Sequence, residues 1–221
     1  DPDSLPSEDV IAKDIDKLIA QLDGLRNAPF AETFSGPAML SGEASGVFFH
    51  EIFGHRIEGF REKNPESAQT FKKMVGEKIL PEFMQVIFEP LRKYLNGSAL
   101  AGFYEVDDEG VPAQKVDVVK NGIFQNFLMS RTPIEGFDHS NGHGRKSPGY
   151  ASATRQSNLI VMADKTMPVD KMKDRLREIA KEQGKEYGLY FTVVEGGFTF
   201  TQRTIPNAFN VLPLVVYKIY V

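Results

Sequence analysis

His50 and His55 are two of only four histidines among 221 residues, and Glu51 directly follows the first. The stretch His50-Glu51-Ile52-Phe53-Gly54-His55 is where the sequence gathers side chains able to bind a transition metal. Imidazole nitrogens are good zinc ligands, and a carboxylate beside the metal can take a proton from bound water. There is no cysteine, so a metal held within this sequence must use histidine, carboxylate, backbone oxygen or water. Spacing complicates the picture. An α-helix advances about 100° per residue, so side chains five apart diverge by about 140°. His50 and His55 cannot chelate one ion from a regular helix. They can if the helix gains a π-turn, or tightens and ends between them, and Gly54 stands where such a distortion would fall. The alternative is two unrelated histidines, one buried and one exposed.

The flanking sequence must build the elements that position these groups. Ser7 is an N-cap candidate, and Ile11, Ile15, Leu18, Ile19, Leu22 and Leu25 then recur at helical spacing, which predicts a packing helix over 8–26. An extended segment at 37–40 leads to Ser41, a second N-cap candidate, and a helix over 42–61 that carries the histidines and ends at Lys63-Asn64-Pro65. A further helical region is expected over 66–94, interrupted near Pro81 and Pro90. Asn96-Gly97 marks a change to strand periodicity. Strands are expected over 99–106, 111–119 and 123–130, with turns at 107–110 and at Asn121-Gly122. Residues 131–157 read as a long polar loop. A strand over 158–162 follows, then a helix over 169–183 with Met172, Leu176, Ile179 and Ala180 inward. A hairpin turning at Gly196-Gly197 and a last strand over 211–221 complete the series. Hairpins with segregated helices predict an α+β fold: a mostly antiparallel β-sheet domain with the motif-bearing helix packed against it.

Bulk properties narrow the classes. A formal net charge of −4 gives no general attraction to nucleic acid or to an anionic membrane. The cationic run Lys171, Lys173, Arg175 and Arg177 is interleaved with Asp174 and Glu178, as on a solvated helix face. No apolar run approaches the length that spans a bilayer.

The sequence resembles the TldD/PmbA family of metalloproteases, once labelled modulators of DNA gyrase. The resemblance rests on His50-Glu51-Ile-Phe-Gly54-His55-Arg-Ile-Glu58-Gly59, which is similar to that family's HExxxHxxE signature. It extends through Gly76-Glu77, Asp107–Gln114, Asn121-Gly122, Gly142-His143-Gly144-Arg145 and the stretch from Arg155 to Asn158, in family order. Ordered motifs in several places are far more specific than one hexapeptide.

The resemblance implies a catalytic, TldD-like zinc peptidase acting on unfolded or short peptides, with His50 and His55 as metal ligands and Glu51 as general base. It implies a homodimer, or a heterodimer with a sister subunit that lacks the motif, and it favours the cytoplasm. It divides the sequence into an N-terminal helix and linker, 1–30, and a catalytic domain, 31–221. The family's N-terminal α/β domain is expected to be missing, and its third ligand, a cysteine near the C-terminus, to have been cut away. Phe60 stands where the family usually has an aspartate. Glu58 is expected to support the site or to ligate. His139 and His143 are loop histidines, and His143, Arg145 and Arg155 are candidates for binding substrate or backing the site. For the two arginines, a substrate carboxylate or carbonyl is the target. Phe48, Phe49 and Phe53 are expected in the core. The rival reading is a non-catalytic scaffold subunit whose metal site is incomplete or empty.

Overall fold

The computed structural model describes residues 5–30, 32–64, 71–198 and 210–221. In chain order the elements are α1 (Glu8–Asn27), β1 (Ala38–Leu40), α2 (Gly42–Phe48), β2 (Met84–Phe88), β3 (Tyr94–Leu95), β4 (Ser98–Ala99), β5 (Val116–Lys120) and β6 (Ile123–Phe124). They continue with β7 (Gly144–Arg145), β8 (Ala153–Thr154), β9 (Leu159–Ala163), α3 (Val169–Glu182), β10 (Tyr187–Phe198) and β11 (Asn210–Tyr220). The chain folds as two compact units, one of residues 1–43, 169–194 and 213–221, the other of 44–168 and 195–212.

In the first unit, β1 pairs in parallel with β10 in a sheet of order β1-β10-β11. Met39, Val194 and Val215 are buried there, as are Leu176 and Ala180 from the apolar stripe of α3. Met172, expected inward on the same helix, is 40% exposed. The cationic side of α3 is paired within the helix, through Arg175–Glu178 and Arg177–Asp174 at 2.8 and 2.9 Å. Helix α1 forms where the periodicity places it, with Ser7 at its N-cap, but the Ser7 hydroxyl makes no capping bond. Its packing is not as expected: Ile11, Ile15, Leu18, Ile19, Leu22 and Leu25 all stay 41–58% exposed. Periodicity fixes a helix's apolar face; only a partner buries it.

The second unit holds the motif. Its antiparallel sheet runs β6-β5-β2-β9, with a register shift between Val86 and Ile87. Val86, Phe88, Val116, Val118, Phe124, Phe127 and Leu128 form its core, and Phe53 and Ile57 of the motif segment pack into the same cluster. The α+β reading therefore holds, including the packing of the motif segment on the sheet. No helix among the described residues is long and apolar enough to cross a membrane.

Several elements differ from the sequence expectation. The helix expected over 66–94 falls partly on residues outside those described. Within 71–94 it is replaced by turns and by β2, a central strand. Met84-Gln-Val-Ile-Phe88 is short, bounded by Pro81 and Pro90, and ends in a run buried on both faces; a helical stripe and a buried strand look alike at that length. The strand expected over 99–106 reduces to β4 followed by turns, and those over 111–119 and 123–130 reduce to β5 and β6. Asn96-Gly97 and Asn121-Gly122 turn the β3–β4 and β5–β6 hairpins with both φ values positive, as two-residue hairpins of this twist require. Strand β10 runs straight through Gly196, so the turn expected at Gly196-Gly197 is absent; the strand expected to follow it lies almost wholly outside the described residues.

The polar stretch 131–157 is not a solvated loop. It contributes the β7–β8 ribbon, and His143 and Thr154 within it are fully buried. Asn141 accepts from the Met129 N–H at 2.7 Å and donates to the Phe127 carbonyl at 2.9 Å, so side chains replace the missing ladder bonds. Asp107, 5% exposed, does the same from the neighbouring turn. Its carboxylate accepts from the N–H groups of Glu109, Val111 and Gly144, each at 2.9 Å. Asp107→Ala is expected to cost about 2–4 kcal/mol in urea unfolding, with Asp107→Asn intermediate, because charge-assisted bonds to buried N–H groups are lost.

Candidate metal centre

Helix α2 is regular to Phe48. Residues Phe49–Phe53 then widen into a π-turn, and Gly54–Ile57 tighten into a 3₁₀ turn. The two distortions that the five-residue spacing offers as alternatives occur together, the second beginning at Gly54. They bring the His50 and His55 rings edge to face, centroids 4.6 Å apart. Ligand atoms of His50, Glu51 and His55 all lie within 4.8 Å of one another. Gly54 is needed for a second reason: a Cβ there would collide with the Gln156 side chain.

Burial grades across the cluster, with Glu51 4% exposed, His55 half-buried and His50 exposed. Partial desolvation, reinforced by His55, lowers the pKa of His50, which favours the neutral, ligating imidazole. Glu58 is 1% exposed and accepts from His55 Nδ1 at 3.1 Å, Arg61 Nε at 2.7 Å and Arg155 at 3.2 Å. Burial would push this carboxyl up, but the hydrogen bond from His55 and the charge of Arg61 outweigh it and hold the pKa below the usual range. With Nδ1–H given to Glu58, His55 turns Nε2 towards Glu51, 4.0 Å from its carboxylate. Carboxylates commonly orient metal-bound histidines in this way.

These residues fit a zinc ion. Two imidazoles and a carboxylate are suitable donors, and one atom of each lies within 4.8 Å of the others; tetrahedral zinc would draw its ligands in to about 3.4 Å from one another.

The other candidates fall elsewhere. Arg155 reaches the site through Glu58 and also lies over the Phe60 ring, 5.4 Å from its centroid. Arg145 is held by Asp108 at 3.0 Å and stacks on Tyr104 at 4.1 Å. His143 is walled in, with Nδ1 beside the Asn141 carbonyl at 3.0 Å and Nε2 beside the Ser157 hydroxyl at 3.0 Å. It is not part of the His50 cluster. Phe53 is in the core and Phe49 packs against it.

Two neighbours escaped the sequence reading. Gln156 places its amide nitrogen 3.4 Å from His55 Nδ1 and 3.5 Å from the His50 carbonyl. Gly196 lies against the Glu51 side chain: a Cβ at Gly196 would be 2.5 Å from Glu51 Oε1. Gln156 lies inside the recognised stretch from Arg155 to Asn158 and Gly196 reads only as a turn residue; a lone Gln and a Gly pair carry no chemistry of their own.

Comparison with known proteins shows the family and the fold. The pattern that defines the PmbA/TldA metallopeptidase C-terminal domain matches residues 33–210. The chain belongs to the TldD/PmbA metallopeptidase family. It is 30% identical over 195 residues to a zinc metalloprotease TldD homolog of Saccharolobus solfataricus, covering 87% of this chain and 39% of the relative. It is 27% identical over 177 residues to a metalloprotease TldD homolog of Buchnera aphidicola, covering 78% of this chain and 33% of the relative. The crystal structure of TldE from Thermococcus kodakarensis shares the fold, with a TM-score of 0.66 at 18% identity, over 93% of this chain and 43% of that one. The chain thus spans about a third of the length of the curated relatives it matches.

Burial lowers the pKa of His143 to about 4, the nearby Asn141 carbonyl opposing only in part. The folded state then binds fewer protons than the unfolded chain between about pH 4 and 6.5, so stability is complete above 6.5 and falls as pH drops through that window. The loss should approach about 3 kcal/mol. Urea unfolding at stepped pH should show this slope in the wild type and a flatter profile in His143→Gln.

Proposed function

We propose that this chain carries the catalytic centre of a zinc peptidase, with His50 and His55 as metal ligands and Glu51 as general base. The observation that supports it most is the π-turn followed by a 3₁₀ turn, which gathers the two imidazoles and the Glu51 carboxylate within 4.8 Å despite the five-residue spacing. Bound zinc would lower the pKa of a water and polarise a scissile carbonyl. Glu51, buried beside both histidines, would take that water's proton and pass it to the leaving amine. Gly196 leaves room for this carboxylate, Glu58 orients His55, and Gln156 braces the turn by donating to the His50 carbonyl. The substrate in this reading is an unfolded or short peptide, and the assembly is a dimer with a second copy or a sister subunit.

One observation favours a second reading, a scaffold subunit with an empty site. These residues supply two imidazoles and one carboxylate but no thiolate, and Phe60 stands where the family resemblance leads to the expectation of an aspartate. If Glu51 is the base, the cluster found among the described residues supplies two protein ligands, His50 and His55.

Elemental analysis of the full-length protein decides between them. One zinc per chain is expected, lost in His50→Ala and kept in Glu51→Gln, with peptide cleavage at least 100-fold down in both. Full-length protein without zinc at neutral pH would favour the scaffold. Gly196→Ala should keep its zinc and unfold within about 1 kcal/mol of wild type, yet cleave about tenfold more slowly, since the added methyl displaces the Glu51 carboxylate.

A further inference from the structure

The β7–β8 ribbon has a polarity that the metal centre does not use. Arg145 pairs directly with Ala153, and Ala151 and Arg155, which flank the two-residue strand β8, line the same cavity as this pair. Two guanidiniums therefore rise from a floor of small alanine side chains. They line a cavity of about 570 Å³, with Lys146 and Tyr150 completing its wall. Both arginines are pinned in place. Arg145 is flat against Tyr104, with its Nε on Asp108, and Arg155 lies over Phe60 with one terminal nitrogen on Glu58. Each guanidinium has five N–H donors, and these carboxylates take only part of either fork. The cavity's own lining carries three cationic side chains, Arg145, Lys146 and Arg155, and no carboxylate; the acids Glu58, Asp107, Asp108 and Glu109 lie behind it.

The geometry points to this cavity as a subsite for a carboxylate on the peptide substrate, bound by Arg145 and Arg155 with Lys146 at the rim. Rigid forks of this kind match a carboxylate's two oxygens, and the alanine floor leaves room for the group to enter. Arg155 connects the subsite to the reacting centre, because the Glu58 carboxylate it holds also holds His55. The carboxylate is that of an aspartate or glutamate side chain or that of the peptide's C-terminus. As a statement about substrate, this rests on the peptidase reading; as a statement about binding, it can be tested without turnover.

The experiment uses metal-free full-length protein, so that zinc cannot itself bind the carboxylate, and fluorescence anisotropy of labelled peptides. One pair differs by internal Glu against Gln, the other by free-acid against amidated C-terminus. At low ionic strength at least one acid form should bind about tenfold more tightly than its neutral counterpart, and salt should shrink the gap. Arg145→Gln should abolish the preference and leave neutral-peptide affinity within twofold, while Arg145→Lys restores part of it. Lys146→Gln, at the rim, should cut the preference about threefold and serves as the test if Arg145→Gln fails to fold. Equal binding of acid and neutral forms, no binding of any peptide, or a preference untouched by the folded variants would overturn the subsite. An Arg145-dependent preference in a protein that cleaves no peptide when zinc-loaded would sink the peptidase reading and leave the subsite standing. Cleavage without any acid preference would do the reverse.

Discussion

The Glu58 carboxylate is the interaction on which the candidate centre depends. A carboxylate 1% exposed is tolerated only when its charge is met, and here His55, Arg61 and Arg155 meet it together. Each partner has a separate consequence. His55 gains a fixed ring orientation, Arg61 locks the turn that follows, and Arg155 joins the β7–β8 ribbon to the motif. The backbone takes part too: Leu128 N–H donates to the Ile57 carbonyl and Gly59 N–H to the Leu128 carbonyl, at 3.0 and 2.9 Å. The segment that holds the histidines is thereby tied to the chain beyond the β5–β6 hairpin.

Around that hub, the motif segment adopts three helical geometries within sixteen residues, α, π and 3₁₀. Such changes of pitch weaken local hydrogen bonding and persist only where packing compensates. Phe53 and Ile57 supply the packing by entering the sheet's core cluster, while the Gln156 amide fills the space beside Gly54. An α-helix of the same sequence would keep its hydrogen bonds and lose the convergence of the two histidines. The unit's antiparallel sheet is rigid backing for a strained turn, which suits a centre requiring fixed ligand positions.

The motif was legible because its residue types and spacing are unusual, and the spacing alone requires a distortion of the helix. Hairpins at Asn96-Gly97 and Asn121-Gly122 were legible as well, through residues that accept positive φ. β2 was not, because Val86-Ile87-Phe88 between two prolines is consistent with a buried helix or a buried strand until its neighbours β5 and β9 are known. Nor was the interior of 131–157, since polar composition suggests solvent and only the bonds made by Asn141, His143 and Thr154 reveal a packed core.

By itself, the sequence determined the ligand types, the absence of thiolates, the need to break helical pitch between His50 and His55, and an α+β class. These are local properties, written in residue identity and period. Tertiary structure decided what meets what: Glu58 with three partners, Gly196 against Glu51, Gln156 against Gly54, and Arg145 beside Arg155 across an alanine floor. Each of those contacts joins residues brought together by strand register or by distant packing, which one-dimensional spacing does not encode.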